Sequence, residues 1–135
     1  MSYTIEEIEG IGSAFGERLR GSNIQTTDDL LRECGGKSGR ERVAKESGLS
    51  EKNILEWVNL ADLMRINGVG EEYADLLEEA GVDTVKELRN RNAENLVEKM
   101  EEVNKTKKLV ERTPSLVVVQ KWIDEAGKLD PMVTH

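Results

Sequence analysis

Ile8-Glu9-Gly10-Ile11-Gly12 is the stretch that decides the fold, because it returns along the chain as Ile66-Asn67-Gly68-Val69-Gly70. The match continues at the same offset in four further pairs: Leu19 and Leu77, Ile24 and Val82, Thr26 and Thr84, and Leu30 and Leu88. A constant offset over this many positions is typical of a duplicated structural unit. We therefore predict two related halves, residues 1–65 and residues 66–127.

The composition is that of a small all-helical protein. Hydrophobic residues make up 37% and charged residues 34% of the 135 positions, which supplies both an aliphatic core and a polar surface. Only two prolines are present, and helix-forming residues dominate. We predict an all-α fold with about four to five short helices in each half.

Several helix starts are visible as capping residues. Thr4, followed three positions later by Glu7, forms a capping-box pattern. Ser13 is expected to cap a helix that runs to about Arg20, and Thr26 or Thr27 the next one.

Three further segments complete the predicted architecture. Residues 35–39, which are rich in glycine, are expected to form a flexible loop. A long helix over about 51–67 should be shared by the two halves. Residues 128–135 are expected to form a loosely held tail.

The charge balance weighs against nucleic acid. The chain carries 27 acidic and 19 basic residues, a net charge of −8. Binding to DNA or RNA is normally driven by lysine and arginine neutralising phosphates. A local basic face remains compatible with a negative total.

The residues needed for catalysis or metal binding are scarce. Cys34 is the only cysteine and His135 the only histidine, so a zinc site and a Cys-His pair are not expected. Asp83 and the segment Gly35-Gly36-Lys37-Ser38 resemble parts of enzyme motifs but lack the rest of them. We predict no enzyme activity, no cofactor and no small-molecule substrate. With no long apolar run, we expect a cytoplasmic protein without a membrane segment.

The two glycine turns resemble the helix-hairpin-helix family. Gly10-Ile11-Gly12, residues 22–26 and Gly48-Leu49-Ser50 are similar to successive turns of the small helical domain that precedes the motor core of archaeal and eukaryotic recombinases. Residues 79–84 match the middle turn even better. Taken whole, with its segment from Lys107 to Leu116 and then Trp122-Ile123, the chain resembles a bacterial family of stand-alone, doubled helix-hairpin-helix proteins catalogued as a domain of unknown function.

The resemblance implies a fold but no activity. In helix-hairpin-helix proteins, the hairpin's backbone N–H groups grip phosphates without reading bases. Carried over to this chain, the contacts would come from the first hairpin, with nearby basic side chains as charge partners. The candidate residues are Gly10, Ile11, Gly12, Ser13, Arg18, Arg20, Lys37 and Arg40.

The second hairpin, Gly68-Val69-Gly70, is predicted to be structural. Glu71 and Glu72 open the helix that follows it, where a phosphate would meet two carboxylates. Those glutamates complement their own helix dipole instead.

Two functions therefore remain open. The resemblance favours weak, non-sequence-specific binding of a DNA phosphate backbone by the first hairpin. The charge favours an acidic protein-interaction or scaffold module that has lost DNA binding and has an unidentified protein partner. A positive patch around Gly10 would support the first hypothesis, and an acidic or apolar patch there would support the second.

Overall fold

The regular structure is helical throughout the part of the chain that the computed structural model describes, residues 2–135. A single isolated bridge between Thr4 and Thr26 is the only β pairing in that range. The all-α prediction is confirmed. None of the helices in residues 2–135 combines the length and the apolar character needed to cross a membrane. A 3-10 helix, Ile5–Glu7, precedes eight α-helices: α1 Gly12–Arg20, α2 Thr27–Cys34, α3 Lys37–Ser47, α4 Glu51–Leu63, α5 Glu71–Glu79, α6 Val85–Leu88, α7 Ala93–Lys107 and α8 Leu116–Lys128.

Two of the predicted capping residues, Thr4 and Thr26, are confirmed, and Ser50 adds a further cap. Thr26 Oγ1 accepts a hydrogen bond from the backbone N–H three residues later, over 3.1 Å, and so caps α2. Ser50 Oγ does the same for α4 over 3.1 Å. Thr4 and Glu7 form the predicted capping box before the 3-10 helix.

The prediction for Ser13 is wrong. α1 begins at Gly12, with Ile11 in the N-cap position and no side chain bonded to the first turn. Ser13 therefore lies inside the first turn of α1. Its hydroxyl does not satisfy the free N–H groups of that turn.

The flexible loop predicted over residues 35–39 is also wrong. Only Gly35 and Gly36 separate α2 from α3, which begins at Lys37. A Cβ on Gly39 would lie 1.9 Å from the carbonyl oxygen of Glu33. The glycine is needed because α3 starts in close contact with the end of α2.

The long helix predicted over about 51–67 is shorter. α4 ends at Leu63. The N–H groups of Arg65 and Ile66 each donate to the carbonyl three residues earlier, over 3.2 Å. These bonds tighten the chain into a turn, so α4 does not run directly into the second hairpin.

The tail does not fit the expectation that it is loosely held. Thr134 N donates to the Gly35 carbonyl over 2.9 Å, and the Thr134 carbonyl accepts from Arg40 Nη2 over 2.6 Å. Val133 is buried. The tail therefore lies against the junction of α2 and α3.

The two predicted halves share one hydrophobic core. A single cluster of buried apolar side chains runs from Ile5 to Val133. Ile24 and Val82, which occupy matching positions after α1 and α5, are both fully buried in it. α4 packs on α2 and α3 on one side and on α5 on the other, so it joins the two ends of the chain.

The backbone takes the same conformation at the first glycine of each hairpin. Gly10 has φ +91° and Gly68 has φ +89°, a left-handed conformation that favours glycine. The apolar residue that follows donates its N–H to the carbonyl three residues earlier, over 3.2 Å at Ile11 and 3.1 Å at Val69. The two hairpins diverge at the second glycine, because Gly12 has φ +62° and begins α1, whereas Gly70 has φ −96° and precedes α5.

A tryptophan covers each hairpin. Trp57 lies against Phe15 with 5.3 Å between ring centroids, and Trp122 lies against Tyr73 at the same 5.3 Å. The indole nitrogen of each tryptophan also lies beside the first glycine of its hairpin. A Cβ added at Gly10 would make an ordinary 3.8 Å contact with the indole nitrogen and one at Gly68 a closer 3.4 Å contact, while the positive φ would strain another residue at either position.

A buried carboxylate ties α4 to α6. The Asp62 side chain is 1% exposed. One of its oxygens accepts from Arg65 Nη1 over 2.8 Å, and the other accepts from Val85 N over 2.9 Å. The second bond satisfies the free N–H at the start of α6, which no residue of α6 itself can do.

Replacing Asp62 with alanine should destabilise the protein strongly. The change leaves the largely buried Arg65 guanidinium and the Val85 N–H without their partner, at an expected cost of about 3–5 kcal/mol. Glu56→Ala, which removes an exposed acid from the same helix, is the control and should cost less than about 0.5 kcal/mol. Urea unfolding of both variants measures the difference, and equal costs would contradict this role for Asp62.

Candidate functional site

The first hairpin leaves backbone donors available. Gly12 and Ser13 are exposed and begin α1, whose first turn has no side-chain cap. Ile11 is buried, and its N–H is already donated to Ile8. Of the predicted backbone contacts, those of Gly12 and Ser13 therefore face solvent, while Ile11 is a core residue.

The two arginines predicted beside this hairpin differ in their surroundings. Arg20 is held by Glu6 in a two-point ion pair, with 2.8 Å between Arg20 Nη2 and Glu6 Oε1. Arg18 is exposed and has no carboxylate within ion-pair distance among residues 2–135. Its guanidinium lies near Gly48, at the end of α3. Only Arg18 remains an available charge.

The structure separates the other two predicted basic residues from the hairpin. Arg40 is 4% exposed and donates to the carbonyls of Cys34, Gly35 and Thr134 at 3.1, 2.8 and 2.6 Å, so it holds backbone together. Lys37 is exposed at the first turn of α3. α3 spans roughly 16 Å from its first turn to its end. Lys37 lies at the start of α3 and the Arg18 guanidinium lies near its end, so the two charges are far apart.

An acidic groove opens beside the first hairpin instead. It is a cavity of about 460 Å³ between the hairpin, α4 and α5, and no lysine, arginine, histidine, serine or cysteine lines it among residues 2–135. Five carboxylate side chains surround it: Glu9, Glu56, Asp75, Glu78 and Glu79. A negative potential is therefore concentrated next to the backbone that was predicted to bind phosphate.

Aromatic and apolar side chains line the rest of the acidic groove. The tilted pair of Phe15 and Trp57 lies along it together with Leu60. Trp57 is 4% exposed, whereas Phe15 is half-buried and keeps a surface toward solvent. The groove thus combines carboxylates with an apolar wall, a combination that suits the long aliphatic stem and charged head of lysine or arginine.

Burial and neighbouring charges change the protonation of the groove. Burial first, and then the charges of Glu56, Asp75, Glu79 and Asp83, together raise the pKa of Glu78 to about 7. Near neutral pH Glu78 is therefore protonated in a fraction of the molecules, and a cation bound in the acidic groove would displace that proton.

The neighbouring acids are perturbed in the same direction. Burial, with the charge of Glu9 next, raises the pKa of both Asp75 and Glu71. Lys107 opposes this from outside the groove, where its Nζ lies 2.7 Å from Glu79 Oε2. Since that single base neutralises one of five acids, the groove keeps a net negative charge.

The second hairpin already has a carboxylate partner. Asn67 N donates to both oxygens of Glu125, over 3.2 and 3.3 Å. Glu71 and Glu72 are exposed in the first turn of α5. A carboxylate of α8 thus binds the residue just before Gly68, and the structural role of Gly68, Val69 and Gly70 stays a prediction.

Part of the acidic groove had a signal in the sequence. Asp75, Glu78 and Glu79 are spaced three and four residues apart on one helix, so they share a face. Their meeting with Glu9 and Glu56 had no such signal, because it depends on how α4 packs on α5 and on the hairpin. The bond from Glu125 to the second hairpin depends on tertiary packing in the same way.

Fold and site together define a small all-helical protein with two tryptophan-covered glycine hairpins and an acidic groove at the first. Residues 9–129 match the model of the family described as "Domain of unknown function (DUF4332)". The chain therefore belongs to that family. No solved structure matches it.

The raised pKa of Glu78 predicts an unusual dependence of stability on pH. Its pKa is about 7 in the folded protein and near 4.5 when unfolded. Between these values the folded protein binds more protons, so stability falls as pH rises from about 5 to about 8. Allowing for solvent screening of this half-buried group, the loss should be about 1 kcal/mol.

Glu78→Gln should be more stable than the natural protein at about pH 8, and its stability should fall less across that pH range. Glu98→Gln, at an exposed site on α7, is the matched control and should keep the natural slope. Urea unfolding at several pH values measures this, and parallel slopes for all three proteins would contradict the assignment.

Proposed function

We propose that this protein is a non-enzymatic protein-interaction module whose acidic groove binds a lysine- or arginine-rich segment of a partner. The observation that carries the proposal is the meeting of Glu9, Glu56, Asp75, Glu78 and Glu79 at one cavity that no basic residue of the described range 2–135 lines. This is the acidic patch at Gly10 that separates the two hypotheses left open by the sequence.

The chemistry of the groove supports binding rather than catalysis. A basic side chain entering it would meet several carboxylates at once in a partly desolvated site, where charge attraction is stronger than in water. Phe15 offers an apolar and π-rich surface for the stem or head of that side chain. Among residues 2–135, no cysteine, serine, histidine or lysine lines the groove, so carboxylates are its only ionisable groups.

The same charges oppose phosphate. An anion approaching Gly10 would come close to Glu9 and to the acids of α4 and α5. Arg20 is paired with Glu6, and Arg40 is buried. A phosphate-binding hairpin would thus have only Arg18 to offset five nearby carboxylates.

Weak nucleic-acid binding is the second candidate, favoured by one observation. The first turn of α1 has no side-chain cap, and Arg18 is exposed without a carboxylate partner in the described range. If this surface binds phosphate, Arg18→Ala should weaken binding while circular dichroism stays unchanged; Gly12→Asp should weaken it too but also strains the backbone at φ +62°, so Arg18→Ala is the variant that decides.

We further propose that the chain is a duplicated helix-hairpin-helix protein, related in each half to the helical domain that precedes the recombinase motor core. The matched φ angles of Gly10 and Gly68 and the matched tryptophan contacts support this. We propose a cytoplasmic location, which suits a chain whose single cysteine, Cys34, is buried.

Fluorescence anisotropy with a labelled lysine-rich peptide of about ten residues tests the proposal, with labelled duplex and single-stranded DNA as parallel probes. The triple variant Glu56→Gln, Asp75→Asn, Glu78→Gln should weaken peptide binding about tenfold or more. A tenfold loss of affinity corresponds to about 1.4 kcal/mol, which the three lost charge contacts share. DNA should not bind even at low salt.

The control variant changes the net charge equally at exposed sites outside the groove: Glu41→Gln, Glu98→Gln, Glu101→Gln. It should alter peptide affinity less than about twofold, apart from long-range effects that salt screens. Equal weakening by both triple variants would show charge attraction without a site. DNA binding that falls with salt and with Arg18→Ala would favour the second candidate instead.

A further inference from the structure

A second surface, which is apolar where the acidic groove is charged, lies where α7 and α8 begin. Leu116, Val117 and Val118 are 44%, 65% and 38% exposed. They lie in the first turn of α8. Large apolar side chains are usually more deeply buried than these three consecutive residues are. Consecutive exposed aliphatic residues of this kind mark an interaction surface more often than isolated ones do.

A cavity of about 420 Å³ is associated with these residues. Leu116 and Val117 line it from α8, and Ala93 lines it from the start of α7. Glu94 stands on the α7 side and Lys121 on the α8 side. We call this surface the apolar groove. Neither Glu94 nor Lys121 has an ion-pair partner in residues 2–135, so both charges are available to another molecule.

We propose that the apolar groove binds the same groove of a second copy of this chain, forming a two-fold symmetric dimer. In such a contact each residue meets its complement twice. Glu94 of one copy would face Lys121 of the other, and the exposed Val117 of each copy would cover the apolar wall of its partner.

Charge decides in favour of a second copy at this place. The chain has a net charge of −8, so most of its surface repels another copy of itself. The apolar groove is an exception, because Glu94 and Lys121 give it one charge of each sign. In a two-fold dimer, Glu94 of each copy pairs with Lys121 of the other, which gives two attractive pairs, and Val117 of each copy is buried. The contact is small, so the dimer is weak and depends on concentration.

Sedimentation velocity over about 10 to 500 µM tests the proposal, since this range brackets the dissociation constants of small interfaces. The sedimentation coefficient of the natural chain should rise from the monomer value toward that of a dimer. Val117→Asp should keep the protein monomeric throughout the range. Met132→Asp, at a 40% exposed apolar residue in the tail, is the matched control and should dimerise normally.

Charge exchange gives the sharper test. Glu94→Lys and Lys121→Glu should each weaken dimerisation about tenfold, because each places like charges opposite one another twice. The double variant should restore it to within about twofold of the natural chain. Circular dichroism of all variants verifies the fold.

Three results would each overturn the proposal. One is a natural chain that stays monomeric at 500 µM in physiological salt. The second is a dimer that survives Val117→Asp, which would place self-association on another face. The third is a double charge variant that dimerises no better than the single variants. None of these results depends on whether the acidic groove binds a basic segment.

Discussion

The contact between Gly10 and Trp57 is the constraint on which the rest of the site depends. Gly10 adopts φ +91°, and the indole of Trp57 lies directly beside it. A hairpin held this closely to α4 places Glu9 at the edge of the same cavity as Glu56. Because α5 packs on α4, its acidic face then completes the groove. The geometry that positions a phosphate-binding backbone in other hairpins thus surrounds this one with carboxylates.

The two hairpins share the left-handed conformation of their first glycine but differ in what surrounds them. At the second hairpin, Glu125 accepts the Asn67 N–H, so a carboxylate of the protein satisfies the turn. At the first hairpin, the acids lie alongside the cavity, and the N–H groups of Gly12 and Ser13 stay uncapped. The helices that follow the two hairpins, α1 and α5, both begin without a side-chain cap. The hairpins therefore differ in the placement of carboxylates around them.

The sequence was sufficient for the fold class and for several helix starts, since Thr4, Thr26 and Ser50 act through bonds to residues three positions away. It failed where glycine permits close packing: Gly39 lies inside α3, although glycine-rich segments usually indicate loops. The burial of Arg40 and the pairing of Arg20 with Glu6 were also invisible, because their partners come from distant parts of the chain. The acidic groove needed three separate elements to meet, and no spacing rule predicts that.

The two tryptophans offer the most direct test of the central claim. Trp57 lines the acidic groove, while Trp122 occupies the matching place at the second hairpin. Nitrogen–proton correlation NMR resolves both indole N–H signals in one sample during titration with a lysine-rich peptide. The account predicts that the Trp57 signal and the amides of Glu9, Gly10 and α5 shift, while Trp122 stays fixed. Equal shifts of both tryptophans, or shifts confined to Gly12, Ser13 and Arg18, would contradict it.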